Sequence, residues 1–342
     1  MKIILIPFSL LHIVYVYIRN LMFDMKILES KEFNVPIICV GNLSVGGTGK
    51  TPHVEYVINV LKRNNIVVLS RGYRRISKGF KWVSVSSLAK DVGDESLQIK
   101  IKYPDVNVAV CEDRNQGINI IREKYPNTDV ILMDDGMQHR YVNPGLKILL
   151  TQHEKPFYKD YMMPYGSLRE NRKSAKRADI IIMTKCPDNI TNNEKEIIQK
   201  EINKYKETDT YFSYVRYKRW KKLSGNYELN ERDTYNILLI TGISNANDLL
   251  INLRSEGHSV THKKYPDHHN YGKKDIQNIL SLFKKHKSTK NIILTTEKDK
   301  EKLLVFKEEI KEYPIYFIPI EIKIDNEKEI KNILTNYVKK NK

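Results

Sequence analysis

Short apolar runs rich in β-branched residues recur along the chain and alternate with segments of helical periodicity. The runs are Val35–Val40, Ile66–Leu69, Val106–Val110, Val130–Met133, Leu146–Leu150 and Asp179–Thr184. They are nearly continuous rather than alternating in polarity, which is the pattern of strands covered on both faces and hence of a parallel sheet. Their alternation with helices predicts a doubly wound α/β domain. Near Tyr211–Trp220 the pattern changes: Tyr211, Ser213, Val215 and Tyr217 interleave with Phe212, Tyr214, Arg216 and Lys218. A second strand-like run covers Tyr316–Ile324. Between them lies another α/β set: Ile237–Thr241, a helix around Ala246–Glu256, and Ile292–Thr295. The two runs read as crossings between domains. The expected organisation is an apolar helix over 1–23, a mostly parallel α/β domain over 24–210, two hinge strands with a smaller inserted α/β domain over 211–324, and a C-terminal helix over 325–342.

The N-terminal run Ile3–Ile18 is apolar and bounded by Lys2 and Arg19. As a helix it rises only about 24 Å, short of the roughly 30 Å hydrocarbon core. No small-x-small cleavage site follows, as a signal peptide would need. Ser9, His12, Arg19 and Asn20 project within about a 100° arc. The pattern predicts a helix lying in a membrane interface with one narrow wet stripe; a first helix buried in the core is the competing reading.

Composition adds a few limits. A length of 342 residues suits about two domains. With 41% hydrophobic and 29% charged residues, the chain is neither collagen-like, nor a disulfide scaffold, nor a polytopic membrane protein. Lys plus Arg (58) less Asp plus Glu (41) leaves +17, a surface suited to anionic partners such as acidic lipid or phosphorylated substrates. Cys39, Cys111 and Cys186 are far apart, with no metal-ligand spacing, so a reducing compartment is expected.

The most informative stretch is Val35-Pro-Ile-Ile-Cys-Val-Gly-Asn-Leu-Ser-Val-Gly-Gly-Thr-Gly-Lys-Thr-Pro52. An apolar strand enters a glycine-rich turn, and Val54, Val57, Ile58 and Leu61 then mark a helix. This order is that of a phosphate-binding loop. Ser44, Val45, Gly46, Gly47, Thr48 and Gly49 would bring backbone N–H groups to phosphate oxygens, with the helix N-terminus adding positive dipole. Lys50 would reach the β- and γ-phosphates, and the Thr51 hydroxyl would meet Mg²⁺. The strict spacing places glycine where this chain has Ser44. A nucleotide loop requires a carboxylate at a strand end, and Val130-Ile-Leu-Met-Asp134-Asp135 supplies it. The fold expected is thus P-loop NTPase-like.

Other segments carry reactive groups. Val92-Gly93-Asp94-Glu95 pairs two carboxylates, readable as a helix N-cap, a general base or a metal ligand. Tyr265-Pro-Asp-His268-His269-Asn-Tyr271 gathers titratable groups in a polar loop. Arg71-Gly-Tyr-Arg74-Arg75 and Gly166-Ser-Leu-Arg169-Glu170 offer guanidinium groups. Gln138, His139 and Arg140 follow the paired acids.

Together the segments VGNLSVGGTGKTP, SRGYRR, VGDE, DDGMQHR, GSLRE, TGIS, YPDHHNY and TTEKD resemble, in order, the tetraacyldisaccharide 4′-kinase family, the lipid A kinases of Gram-negative bacteria. Ser96 stands where the family has proline after its GDE, and the segment before Leu168-Arg169-Glu170 departs from the family's form. The resemblance implies transfer of the ATP γ-phosphate to the 4′-hydroxyl of an acylated glucosamine disaccharide 1-phosphate, at the cytoplasmic face of the inner membrane. It implies Asp94 as the base, helped by His268, and Thr51, Glu95, Asp134 and Asp135 around Mg²⁺. It also implies Arg71, Gln138, Arg169 and His269 as contacts to substrate. The expected partners are the lipid substrate and an anionic membrane surface, with no nucleic acid and no obligate protein partner. The competing function is a phosphate-loop GTPase or ATPase switch, because Thr184-Lys-Cys-Pro-Asp188 comes within one position of a guanine-reading motif.

Overall fold

The computed structural model describes residues 6–230, 232–285 and 290–342. The chain divides into two compact units, Met1–Val215 with Ile322–Lys342, and Arg216–Glu321. The described residues form fourteen strands: β1 (Ile37–Asn42), β2 (Ile66–Ser70), β3 (Lys81–Val83), β4 (Asn107–Val110), β5 (Val130–Asp134), β6 (Leu146–Gln152), β7 (Ile180–Thr184), β8 (Thr210–Tyr217), β9 (Lys221–Ser224), β10 (Asn236–Thr241), β11 (Ser259–Lys264), β12 (Asn291–Thr296), β13 (Ile315–Ile318) and β14 (Ile320–Ile324).

In the first unit the strand order is β14-β8-β7-β6-β1-β5-β2-β4-β3. β1 pairs in parallel with both β5 and β6, and the two edge strands run against their neighbours: β3 is antiparallel to β4, and the bonds from Lys218 N to Pro319 O and from Asp325 N to Phe212 O set β14 antiparallel to β8. The continuous apolar runs are explained by two separate cores. Ile37, Cys39, Val67, Leu69, Ile131 and Met133 fill one face of the sheet, while Ile38, Val40, Val68 and Leu132 fill the other. The helix Glu327–Lys340 buries Ile330, Leu334 and Val338 at i, i+4, i+8, and its Tyr337 hydroxyl donates to Ile37 O at 3.1 Å. The strand order reverses at β1, so the loop after β1 opens at a topological switch point, where doubly wound sheets bind ligands.

The second unit is a five-stranded sheet, β11-β10-β12-β13-β9. It is parallel except where β9 meets β13. The chain leaves the first unit within β8 and returns within β14. The run read as one strand over Tyr316–Ile324 is two, β13 and β14, with Pro319 between them; proline has no N–H to continue a ladder. The N-terminal helix extends to Asp24, beyond Ile18.

Candidate active site

β1 ends at Asn42 and the helix Lys50–Val60 begins at Lys50. The turn between them needs glycine at Gly46 (φ 108°) and Gly49 (φ 83°), a region in which a Cβ is strained. Ser44 is not in that region. It lies opposite Leu168 in an antiparallel bridge, flanked by bonds from Val45 N to Ser167 O (2.8 Å) and from Arg169 N to Leu43 O (2.7 Å). A β-like backbone accepts serine freely, so the departure from the strict spacing carries no strain. The same bonds lay the Ser167–Arg169 segment along the start of the loop.

β5 delivers Asp134, and the next residue, Asp135, turns with φ 51°. Asp134 is buried and its Oδ1 has no hydrogen-bond partner. Burial first, then the charges of Glu95 and Asp135, push its pKa up to about 7. Burial also pushes Asp135 up, but Lys50 and Arg169 outweigh it and hold the carboxyl below its ordinary value. Arg169 forms a two-pronged pair with Asp135, at 3.0 Å and 2.7 Å, and also donates to Asn42 Oδ1. Lys50 Nζ stands 3.8 Å from Asp135 Oδ2. Arg169, expected to face substrate, is therefore engaged by Asp135.

The expected metal set of Thr51, Glu95, Asp134 and Asp135 does not close into one cluster. Among the described residues no group of three or more His, Cys, Asp or Glu side chains is arranged to hold a metal. Both Asp135 oxygens accept from Arg169. A smaller set fits Mg²⁺: the unpartnered buried oxygen of Asp134 and the hydroxyl of buried Thr51. This ion keeps several waters and takes only one or two protein oxygens beside phosphates.

Gly93 (φ 85°) precedes the helix Asp94–Lys102 and offers no side-chain cap, so Asp94 is the first helical residue rather than the N-cap. A Cβ on Gly93 would come within 3.1 Å of the backbone of Gly72 and Tyr73. The Asp94 turn and the Arg71–Arg75 loop are thereby packed backbone to backbone. That basic loop divides by role. Arg75 is spent on Glu112 at 2.7 Å, while Arg71 is exposed. Gln138, expected at substrate, donates to Asn42 O at 2.7 Å.

Two groups are not legible as site residues in the sequence. Arg114 is fully buried near the paired acids, with its Nε unpartnered. It opens a helix capped by Asp113. A cation at a helix N-terminus opposes the macrodipole, and that local misfit is the one signal the sequence offers. His53, in the first turn after Lys50, is buried and its pKa is pulled down to about 4, chiefly by that burial.

In the second unit the Tyr265–Tyr271 loop lies at the carboxyl ends of β10 and β12. His268 N donates to Gly242 O (3.0 Å), and Asp299 Oδ2 accepts from Gly242 N (2.9 Å). His268, with φ 59°, meets Lys298 Nζ at 3.0 Å through Nε2. His269 is stacked on Tyr265, with ring centroids 4.6 Å apart, and its Nε2 lies 3.0 Å from Asp275.

The family model described as Tetraacyldisaccharide-1-P 4'-kinase matches residues 1–339. The chain belongs to this family. Tetraacyldisaccharide 4'-kinase of Bacteroides thetaiotaomicron is 41% identical, with 98% of this chain and 93% of the relative covered. The enzyme of that name from Flavobacterium psychrophilum is 39% identical over 98% and 96%. Among solved structures, LpxK from Aquifex aeolicus in complex with ATP is similar with TM-score 0.75 and 29% identity, covering 98% of this chain and 99% of that one. Membership decides between the two functions the loop left open, in favour of the 4'-kinase over the switch. Thr184, from the near-guanine motif, is buried and donates to Thr48 O at 3.0 Å, so it serves the phosphate loop.

The N-terminal helix of this 4'-kinase family member inverts the expected polarity. Arg19 donates to Gln138 O (3.0 Å) and Arg140 to Asn20 O (3.0 Å). Val16 and Phe23 are buried. Arg19 and Asn20 of the polar stripe thus face the protein, because Gln138 and Arg140 offer them partners. The outer face is apolar, with Leu11 71%, Val14 54%, Tyr15 64% and Ile18 51% exposed. Among the described residues no helix is long and apolar enough to cross a membrane.

His139 accepts the Arg114 backbone N–H at Nε2 (3.3 Å). Burial first, then the charge of Arg114, pull its pKa down from 6.5 to about 4. A depressed histidine stabilises the fold fully above its unfolded pKa, and that contribution is lost as pH falls through the folded one. His139→Gln is expected to flatten the fall in stability between about pH 6.5 and 4, by at most about 1.4 kcal/mol per pH unit. Urea midpoints across that range check this, and parallel curves for the two proteins would refute it.

Proposed function

We propose that this chain transfers the γ-phosphoryl group of ATP to the 4′-hydroxyl of an acylated glucosamine disaccharide 1-phosphate at the cytoplasmic face of the inner membrane. The observation that carries this is the Gly46–Thr51 loop, at the switch point of the sheet and beside Asp134 and Asp135. Backbone N–H groups at the start of the helix bind the phosphates, and Lys50 neutralises charge on the transferring group. Thr51 and Asp134 hold Mg²⁺, which when bound offsets charge on the phosphate oxygens. Asp94 takes the proton of the attacking sugar hydroxyl as the new O–P bond forms, and the bond from the γ-phosphorus to ADP breaks. His268, whose Nε2 meets Lys298 Nζ, is the histidine that the family resemblance assigns to assist proton transfer. Arg71 and Gln138 contact the acceptor, and Arg169 with Asp135 borders the phosphate site.

The exposed apolar face of the N-terminal helix supports seating on the bilayer that contains such a substrate. The net charge of +17 supports attraction to its anionic leaflet. Purified protein with labelled ATP and the acylated disaccharide 1-phosphate is expected to give a product one phosphoryl group heavier by mass. Asp94→Asn is expected to lower kcat by about 10²–10⁴-fold while leaving ATP affinity unchanged. Loss of ATP binding with kcat retained would instead make Asp94 a structural residue.

A further inference from the structure

Two side chains outside the phosphate loop reach its carbonyl groups, His53 of the following helix and Thr184 of β7, and neither contact belongs to the motif. Gly49 O accepts the backbone N–H of His53 (3.2 Å) and lies 2.7 Å from His53 Nδ1. A carbonyl oxygen only accepts, so Nδ1 carries the ring proton. Nε2 is then the lone-pair nitrogen, and it accepts from Ser213 Oγ at 2.9 Å. One residue earlier, Thr48 O accepts from Thr184 Oγ1 at 3.0 Å. Ser213 lies in β8, and Thr184 ends the adjacent β7. His53 is 2% exposed, so water does not compete for these bonds.

We propose that His53 and Thr184 are positioning residues that aim the loop's N–H groups at nucleotide phosphate. The peptide unit is planar, and its carbonyl and N–H point in opposite directions. Holding Gly49 O against His53 turns the Lys50 N–H outward from the helix start. Holding Thr48 O against Thr184 does the same for the Gly49 N–H. These are the groups a helix start leaves unpaired, and successive N–H groups of this kind form an anion cradle. Gly49, in a left-handed conformation and without a side chain, has little of its own to fix it. The bond from Thr184 of β7 and the bond from His53, itself held by Ser213 of β8, fix it before ligand arrives, which lowers the ordering cost of binding.

This inference rests on the reading of the loop as an ATP site, and the experiment separates the two. His53→Leu removes both ring bonds. His53→Asn keeps an N–H where Nδ1 stands, within reach of Gly49, but loses the Ser213 contact. Thr184→Val removes the second hydroxyl. Affinities for ATP by calorimetry and for adenosine by ligand-observed NMR are compared, with urea stability alongside. His53→Leu and Thr184→Val are each expected to weaken ATP about tenfold, with adenosine affinity unchanged. His53→Asn is expected to recover most of the ATP affinity even where its stability stays lowered. ATP affinity unchanged in folded His53→Leu, or adenosine weakened in parallel with ATP, overturns the positioning role alone. If Lys50→Ala transfers phosphate like the parent, the loop reading falls and this role with it. Should His53→Leu not fold, Thr184→Val and His53→Asn decide the positioning role by the same two affinities.

Discussion

Lys50→Ala is expected to lower phosphoryl transfer by about 10²–10³-fold, the scale on which one transition-state charge contact acts, with the fold intact. Lys50 opens its helix with its side chain directed at Asp135 rather than into either core. Its removal therefore creates no cavity. It leaves Asp135 still paired to Arg169 through two bonds, so the destabilisation expected is that of one partly exposed ion pair, below about 1 kcal/mol. The decisive comparison is single-turnover transfer against urea midpoint. Near-parental turnover refutes the loop assignment, and a collapse of stability would place Lys50 in the scaffold instead.

The second large effect concerns the N-terminal helix. Leu11, Tyr15 and Ile18 share one exposed face at i, i+4 and i+7. Replacing all three by glutamate removes apolar surface worth roughly 1–2 kcal/mol each and adds charge repelled by an anionic leaflet. Co-sedimentation with vesicles of phosphatidylethanolamine and phosphatidylglycerol is expected to fall by about 10²-fold or more. Transfer to a detergent-dispersed acceptor should persist, since these side chains are exposed and belong to no buried core. A triple variant that still sediments with vesicles would overturn the interfacial role of this face.

These expectations differ in how far the sequence foreshadows them. The central strands of the first sheet are written in uninterrupted apolar runs because both faces are covered. The edge strands β3, β9 and β11 lack that signature. Ser259–Lys264 reads Ser-Val-Thr-His-Lys-Lys, half-exposed and polar, and only pairing with β10 makes it a strand. The phosphate loop is legible because its conformation demands glycine at Gly46 and Gly49. The engagement of Arg169 by Asp135 is not, because it depends on Ser167–Arg169 running beside the loop more than a hundred residues away in the chain. The polar stripe of the N-terminal helix is legible, but the neighbour it faces is not. A helical wheel shows which residues share a side, but not that Gln138 and Arg140 wait there as partners.

Gly93 and Gly72 have a consequence for sequence drift. Their backbones lie so close that a carbon added at Gly93 would sit 3.1 Å from Gly72 and Tyr73 and press the acidic turn away from the basic one, whereas a carbon added at Gly72 would meet the Arg75 side chain. Two short segments with separate chemical duties are thereby inherited as a single unit. A lineage can exchange the side chains around Asp94, or those around Arg71, but the contact that holds the two together leaves no room for an independent substitution at Gly93.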